Sequence, residues 1–306
     1  MGNTQIHAVI DIGTNSILLL IANKTDGPNP QLVPILDQAK TVRLGENLLS
    51  TSRLTKPAME RTLAGLKTYI DTIHSFFPSP SQIFCFGTEA LRRASNADEF
   101  CQRIKQELGL PLRILSPAEE AHYAFQGALS SVSAQHTHHL VIDIGGGSTE
   151  IVYGTANTVE HQQSFPIGAV FATEKFQLRE KILPSNLVAL KEHIITLFNS
   201  PPKISKDATV LLTGGTATTL AALDQQLQRY DIQGIDGYRM NRLQIESQYT
   251  RLNQLSLKNR AALPGMEAGR ADVILPALVI LLTLLEDLAI QAVQISVRGA
   301  RYGLLL

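Results

Sequence analysis

One nine-residue pattern occurs twice, and it constrains this chain more than any other feature. Val9–Ile17 reads Val-Ile-Asp-Ile-Gly-Thr-Asn-Ser-Ile and Val141–Thr149 reads Val-Ile-Asp-Ile-Gly-Gly-Gly-Ser-Thr, identical at six of nine positions. In each copy an apolar stretch meets an Asp, then a Gly-rich turn carrying a hydroxyl, then a second apolar stretch at Leu18–Ala22 or Ile151–Tyr153. Each copy therefore reads as a β-hairpin with a polar tip, and the chain as two related units. A length of 306 residues points the same way, because it exceeds the usual size of one hydrophobic core.

The tips carry chemistry. Glycine removes side-chain bulk and permits positive φ, so consecutive backbone N–H groups at Gly13, Thr14, Asn15 and Ser16, and at Gly145, Gly146, Gly147 and Ser148, can converge on phosphate oxygens. An Asp at the end of a buried strand costs several kcal/mol unless it is paired or bound to a cation, which makes Asp11 and Asp143 candidate metal ligands. The copies diverge after the shared Ser: the second continues Thr149-Glu150 where the first continues Ile17-Leu18, so only the second half adds a carboxylate. A third Gly-rich turn, Thr213-Gly214-Gly215-Thr216, follows an apolar strand and leads into a helix over Ala217–Leu223, whose N-terminus is a natural anion site. No GxxxxGK[ST], GxGxxG, GxSxG or HExxH is present, which disfavours Rossmann cofactor binding and serine hydrolase chemistry.

Between the copies, Met59, Leu63, Leu66, Ile70, Ile73 and Phe77 recur at helical spacing, with Pro57 near the start. Strands are expected at Gln82–Phe86 and Leu112–Leu115, and helices at Asp98–Leu108 and Ala118–Leu129. Ser130–His139 reads as a polar connection, and its His136, His138 and His139 as a solvated loop rather than a zinc site, since no other ligand lies nearby. The division is placed within Ala118–Gln135, giving domains 1–125 and 126–306.

Basic and acidic residues both number 27, so no global positive field gathers nucleic acid or anionic membrane, and a polyanion must be held locally. The most apolar run, Val273–Leu285, contains Pro276 and is too short to span a bilayer, so it reads as a buried core helix. Cys85 and Cys101 suggest neither a disulfide framework nor structural zinc. With no secretory leader apparent, a cytoplasmic location follows by default.

These motifs resemble the exopolyphosphatase and guanosine pentaphosphate phosphatase (Ppx/GppA) family, over nearly the whole chain. The resemblance rests on both hairpins together with Arg43-Leu44-Gly45, Gly87-Thr88-Glu89-Ala90-Leu91-Arg92, Glu119-Glu120-Ala121, Thr213-Gly214-Gly215-Thr216 and Gly269-Arg270-Ala271-Asp272-Val273-Ile274. It implies an α/β fold of two actin-like ATPase (ribonuclease H-like) domains with a cleft between them. It also implies Glu120 as the general base that activates water, Arg92 and, more weakly, Arg43 on substrate phosphate, and Mg2+ held by Asp143 and Glu150 with Asp11 contributing. Two departures stand out: His122 where an Arg commonly follows Glu-Glu-Ala, and Asp236-Gly237 where His-Gly is common. The expected activity is release of terminal phosphate from inorganic polyphosphate, with guanosine pentaphosphate as the alternative substrate. A kinase of the same fold or a non-catalytic sensor is the rival class, and pairing into a homodimer is the assembly the family suggests.

Overall fold

A computed structural model describes residues 4–25, 31–76, 82–132 and 138–306. Phe77 of the helical stripe and His136 of the connector fall outside those residues. Eleven strands are described: β1 (Thr4–Ile12), β2 (Ser16–Thr25), β3 (Leu32–Thr41), β4 (Gln82–Gly87), β5 (Arg113–Ile114), β6 (His139–Ile144), β7 (Thr149–Gly154), β8 (Val159–Phe165), β9 (Thr209–Thr213), β10 (Arg239–Asn241) and β11 (Ala292–Ile295).

They form two sheets of one design. The first has the order β3-β2-β1-β4-β5 and the second β10-β11-β9-β6-β7-β8. In both, the repeated hairpin supplies the central antiparallel pair, and the next strand, β4 or β9, adds in parallel beside its first member. The second sheet carries β10 as an antiparallel extra edge. This is the topology of the actin-like, ribonuclease H-like α/β domain, present twice.

Alternation along the hairpins decides which elements cover them. Ile10, Ile12, Ile17, Leu19 and Ile21 pack with Leu63, Leu66 and Ile73 of the Lys56–Phe76 helix in a large core that continues into the second half. The opposite face, Val9, Leu20, Ala22 and Phe86, is covered by Ala300, Tyr302 and Leu305 from far along the chain. In the second sheet, Val141, Val152 and Leu211 pack under Ala121, Phe125 and Ala128. Those three belong to a helix that runs unbroken from Pro117 to Leu129, so the expected division at 125/126 falls inside one helix lying on the second sheet.

The long apolar run forms the buried Ile274–Asp287 helix, with Pro276 in its first turn, where a missing N–H removes no intrahelical bond. The expected strand over Leu112–Leu115 shortens to Arg113–Ile114. The third Gly-rich segment is no separate turn: the helix begins at Gly214, directly after β9. Among the described residues no helix is long and apolar enough to cross a membrane.

Candidate active site

A cleft of about 570 Å3 opens between the sheets at the ends of the repeated hairpins. Its walls include both polar tips, Glu120, Thr88, Gly214, Gly215, Arg270 and Arg301.

The two tips have the same local geometry. Gly13 N–H donates to the Ser16 carbonyl at 3.0 Å, and Gly145 N–H donates to the Ser148 carbonyl at 3.0 Å. Following segments tie the tip carbonyls back: Gly45 donates to Thr14, Val42 and Arg43 to Asn15, Ala169 to Gly145, and Val170 and Phe171 to Gly146. With the carbonyls so engaged, the amides of Thr14, Asn15, Gly146 and Gly147 donate to no described residue. The tips also touch. A side-chain carbon at Gly146 would sit 3.0 Å from the Asn15 amide nitrogen, and one at Gly147 would sit 2.6 Å from Thr14 Oγ1. Free amides on facing loops make a cradle for tetrahedral anions.

Four carboxyl groups share this wall. Asp11 and Asp143 leave the strand faces covered by residues 300–305 and by the Pro117–Leu129 helix, by the same alternation that sets the cores. Glu150 is the direct cross-strand partner of Asp143, and its Oε1 accepts from Ser164 Oγ at 2.7 Å. Burial, with the charge of Glu120, raises the pKa of Asp143 to about 7. Burial likewise takes Asp11 to about 7, against the opposing pull of Arg301. Burial, then Glu120 and Asp143, push Glu150 well above its usual range. Such crowding calls for a cation. Asp11 Oδ1 is buried without a hydrogen-bond partner among the described residues, and the donors are hard oxygens, so the set fits a hard cation. No three His, Cys, Asp or Glu among the described residues are gathered closely enough to hold one ion directly. A cation here would rely on one or two of these carboxylates and on water, as Mg2+ prefers.

Glu119 and Glu120 separate by helix position. Ser116 caps the Pro117–Leu129 helix, Pro117 stands at its first position, and Glu119 closes a capping box back to Ser116. Glu119 also meets Arg113 outside the cleft. Glu120, one residue on, faces inward. Burial raises its pKa, while Arg92 and the Thr88 hydroxyl oppose the rise.

Both expected arginines are paired with carboxylates of the protein. Arg92 Nη1 donates to Glu120 Oε2 at 2.6 Å and to the Leu115 carbonyl at 2.9 Å, while Nε and Nη2 both donate to Glu89 Oε2. Its fork is taken up by protein and it does not line the cleft. Arg43 lies outside the cleft too. Its Nη2 bonds Asp272 at 2.8 Å, joining the first half of the chain to the second. Thr216, fully buried, donates to the Ile144 carbonyl rather than to the cleft. Asp236 accepts from Val297 N–H, holding the segment that leads to Gly299.

Two arginines that sequence reasoning left without a role do line the cleft. Arg270 pairs with Glu267 at 2.7 Å, and its guanidinium fills the space a side chain at Gly215 would need. Arg301, 8 % exposed, holds both oxygens of Asp37. Arg270 sits in a stretch quoted for the resemblance, Gly269–Ile274, so its signal was present without a side-chain direction to interpret it.

Comparison with known proteins places this geometry. The Ppx/GppA phosphatase family matches residues 20–306. "Exopolyphosphatase 2" of Mycobacterium tuberculosis is 33% identical over 279 residues, covering 87% of this chain and 86% of its own. A "Guanosine-5'-triphosphate,3'-diphosphate pyrophosphatase" of Vibrio vulnificus is 28% identical over 99% of this chain. The chain spans 59% of that protein, and 44% of a "Bifunctional 3-dehydroquinate synthase/phosphatase" of Fusobacterium nucleatum with which it shares 31% identity. Among solved structures, the Aquifex aeolicus member of the Ppx/GppA family superposes with a TM-score of 0.81 at 32% identity, over 99% of this chain and 97% of that one.

Proposed function

The chain belongs to the Ppx/GppA phosphatase family, and from that premise we propose that it is an exopolyphosphatase, a phosphoric anhydride hydrolase that releases orthophosphate from the end of inorganic polyphosphate. One observation carries this reading: Glu120 stands in the wall of a cleft between two facing loops whose amides are unclaimed.

Phosphoryl transfer asks little covalent work of a protein and much positioning and charge neutralisation. The amides of Thr14, Asn15, Gly146 and Gly147 hold the terminal phosphates. Glu120 takes the proton from the attacking water, and burial makes it a stronger base than an exposed glutamate. Arg270 and Arg301 add positive charge along the wall. Magnesium carried by Asp143 and Glu150, with Asp11 beside them, would supply further neutralisation of the phosphate oxygens.

Two names among the relatives point to two substrates. The Vibrio relative favours guanosine pentaphosphate as a second reading, and Tyr230, a half-exposed ring at the cleft edge, is suited to stacking a base. Phosphate release from long-chain polyphosphate and from guanosine pentaphosphate, each with magnesium and with chelator, separates them. Magnesium-dependent release from polyphosphate supports the first reading; release from the nucleotide alone replaces it with the second. Release from neither substrate removes the hydrolase assignment. The Glu120→Gln variant should retain binding and lose about 100-fold or more in turnover.

A further inference from the structure

We propose that Glu89 is a positioning residue for the reaction: it fixes Arg92 so that the guanidinium takes one oxygen of Glu120 and not both, and it ties that arrangement to the second phosphate loop. The proposal rests on the reading of Glu120 as the base.

Glu89 opens the short Glu89–Arg93 helix that follows β4, and its side chain is 12% exposed. Oε2 accepts from Arg92 Nε at 3.1 Å and from Nη2 at 2.9 Å, which fixes one edge of the guanidinium. The Leu115 carbonyl holds Nη1 from the side, so the remaining reach of Arg92 is a single short bond, 2.6 Å, to Glu120 Oε2. A planar guanidinium released from Glu89 would favour a two-pronged grip on Glu120. That grip would occupy both oxygens of a group that must keep one for water. Two carboxylates sharing one arginine prevent it.

The same glutamate also packs on the second loop. Its Cγ lies 2.9 Å from the point where a side chain on Gly147 would begin, and Phe171 closes the space at 3.0 Å. Arg93, whose Nη1 approaches Glu89 Oε1 at 3.5 Å, stacks over the Phe171 ring at 5.5 Å. The helix that orients the base is thus packed directly on the loop that receives phosphate. Neither Glu89 nor this contact follows from the spacing of the sequence motifs, because Glu89 and Gly147 belong to different halves of the chain.

A double-mutant cycle on the full chain tests the inference, with kcat and KM for phosphate release from polyphosphate in the presence of magnesium. Glu89→Gln alone should lower kcat by about tenfold, with KM within about twofold of the parent. In an Arg92→Gln background the same substitution should change kcat by less than about twofold, since its effect passes through Arg92. Equal losses in both backgrounds, or a loss confined to KM, would overturn the proposal. Should Glu89→Gln not fold, Arg92→Lys replaces it: lysine keeps the charge but cannot serve both carboxylates, and an unchanged kcat there overturns the proposal as well. Glu120→Gln runs alongside. Full activity in that variant removes the base assignment itself, whereas an inactive Glu120→Gln beside a fully active Glu89→Gln removes only the role given to Glu89.

Discussion

The two repeated hairpins match to the residue in register and part company at the position opposite the aspartate. Asp11 stands across from Leu18, and Asp143 stands across from Glu150. Their tips are equally tight yet complementary in bulk: the first carries Thr14 and Asn15, and the second carries Gly146 and Gly147, into whose empty space those side chains project. A duplicated scaffold has thereby divided its labour. One loop brings side chains and the other makes room for them, and the extra carboxylate stands on the roomier side.

Making the second hairpin resemble the first is the harshest test of this division. Glu150→Leu should lower turnover by at least about 100-fold and leave the remainder insensitive to chelator. The converse change, Leu18→Glu, should give no gain, and measured rates close to parental in Glu150→Leu would abolish the asymmetry. Next in size is Gly147→Asn, which places in the second tip the residue of the first. The collision with Thr14 and Glu89 should reduce kcat by about tenfold, and an added Thr14→Gly should recover part of it; no recovery would mean the loops do not meet in solution.

A smaller effect concerns stability. Asp11 and Asp143 titrate near 7 in the folded chain without metal, above their unfolded value of 3.8. A raised carboxyl pKa means the folded state binds more protons, so this contribution is full below about pH 4 and is lost as pH rises through 7. With chelator present, the melting temperature should fall over that window through these two groups, less steeply in Asp143→Asn, and added magnesium at pH 8 should restore it. A curve identical in parent and variant would show that the second aspartate does not titrate there. The smallest change expected is from Arg43→Gln. This partly exposed tie to Asp272 should contribute about 1 kcal/mol or less and leave KM unaltered; a tenfold rise in KM would return Arg43 to the phosphate site.

The hairpins, their aspartates and the helix bearing Glu120 were legible from sequence because each depends on local pattern: period-two alternation, glycine at the tips, and helical spacing over Ala118–Leu129. Arg92 and Arg43 were legible only as arginines. Their partners, Glu89 with Glu120 and Asp272, are set by how distant segments pack, which spacing along the chain does not show. Arg270 and Arg301 were hidden for the converse reason: nothing in their spacing tells which way a side chain faces when the chain returns from a remote helix.

That return has a consequence for how the molecule is made. Ala300, Tyr302 and Leu305 close the apolar face formed by Val9, Leu20 and Phe86, and Arg301 reaches Asp37. On a ribosome these partners appear after every described strand of both sheets. The early half must wait with one greasy flank open until residue 305 is synthesised, so its maturation is timed by translation of the late half, and an isolated amino-terminal fragment would be a sticky intermediate rather than a finished unit.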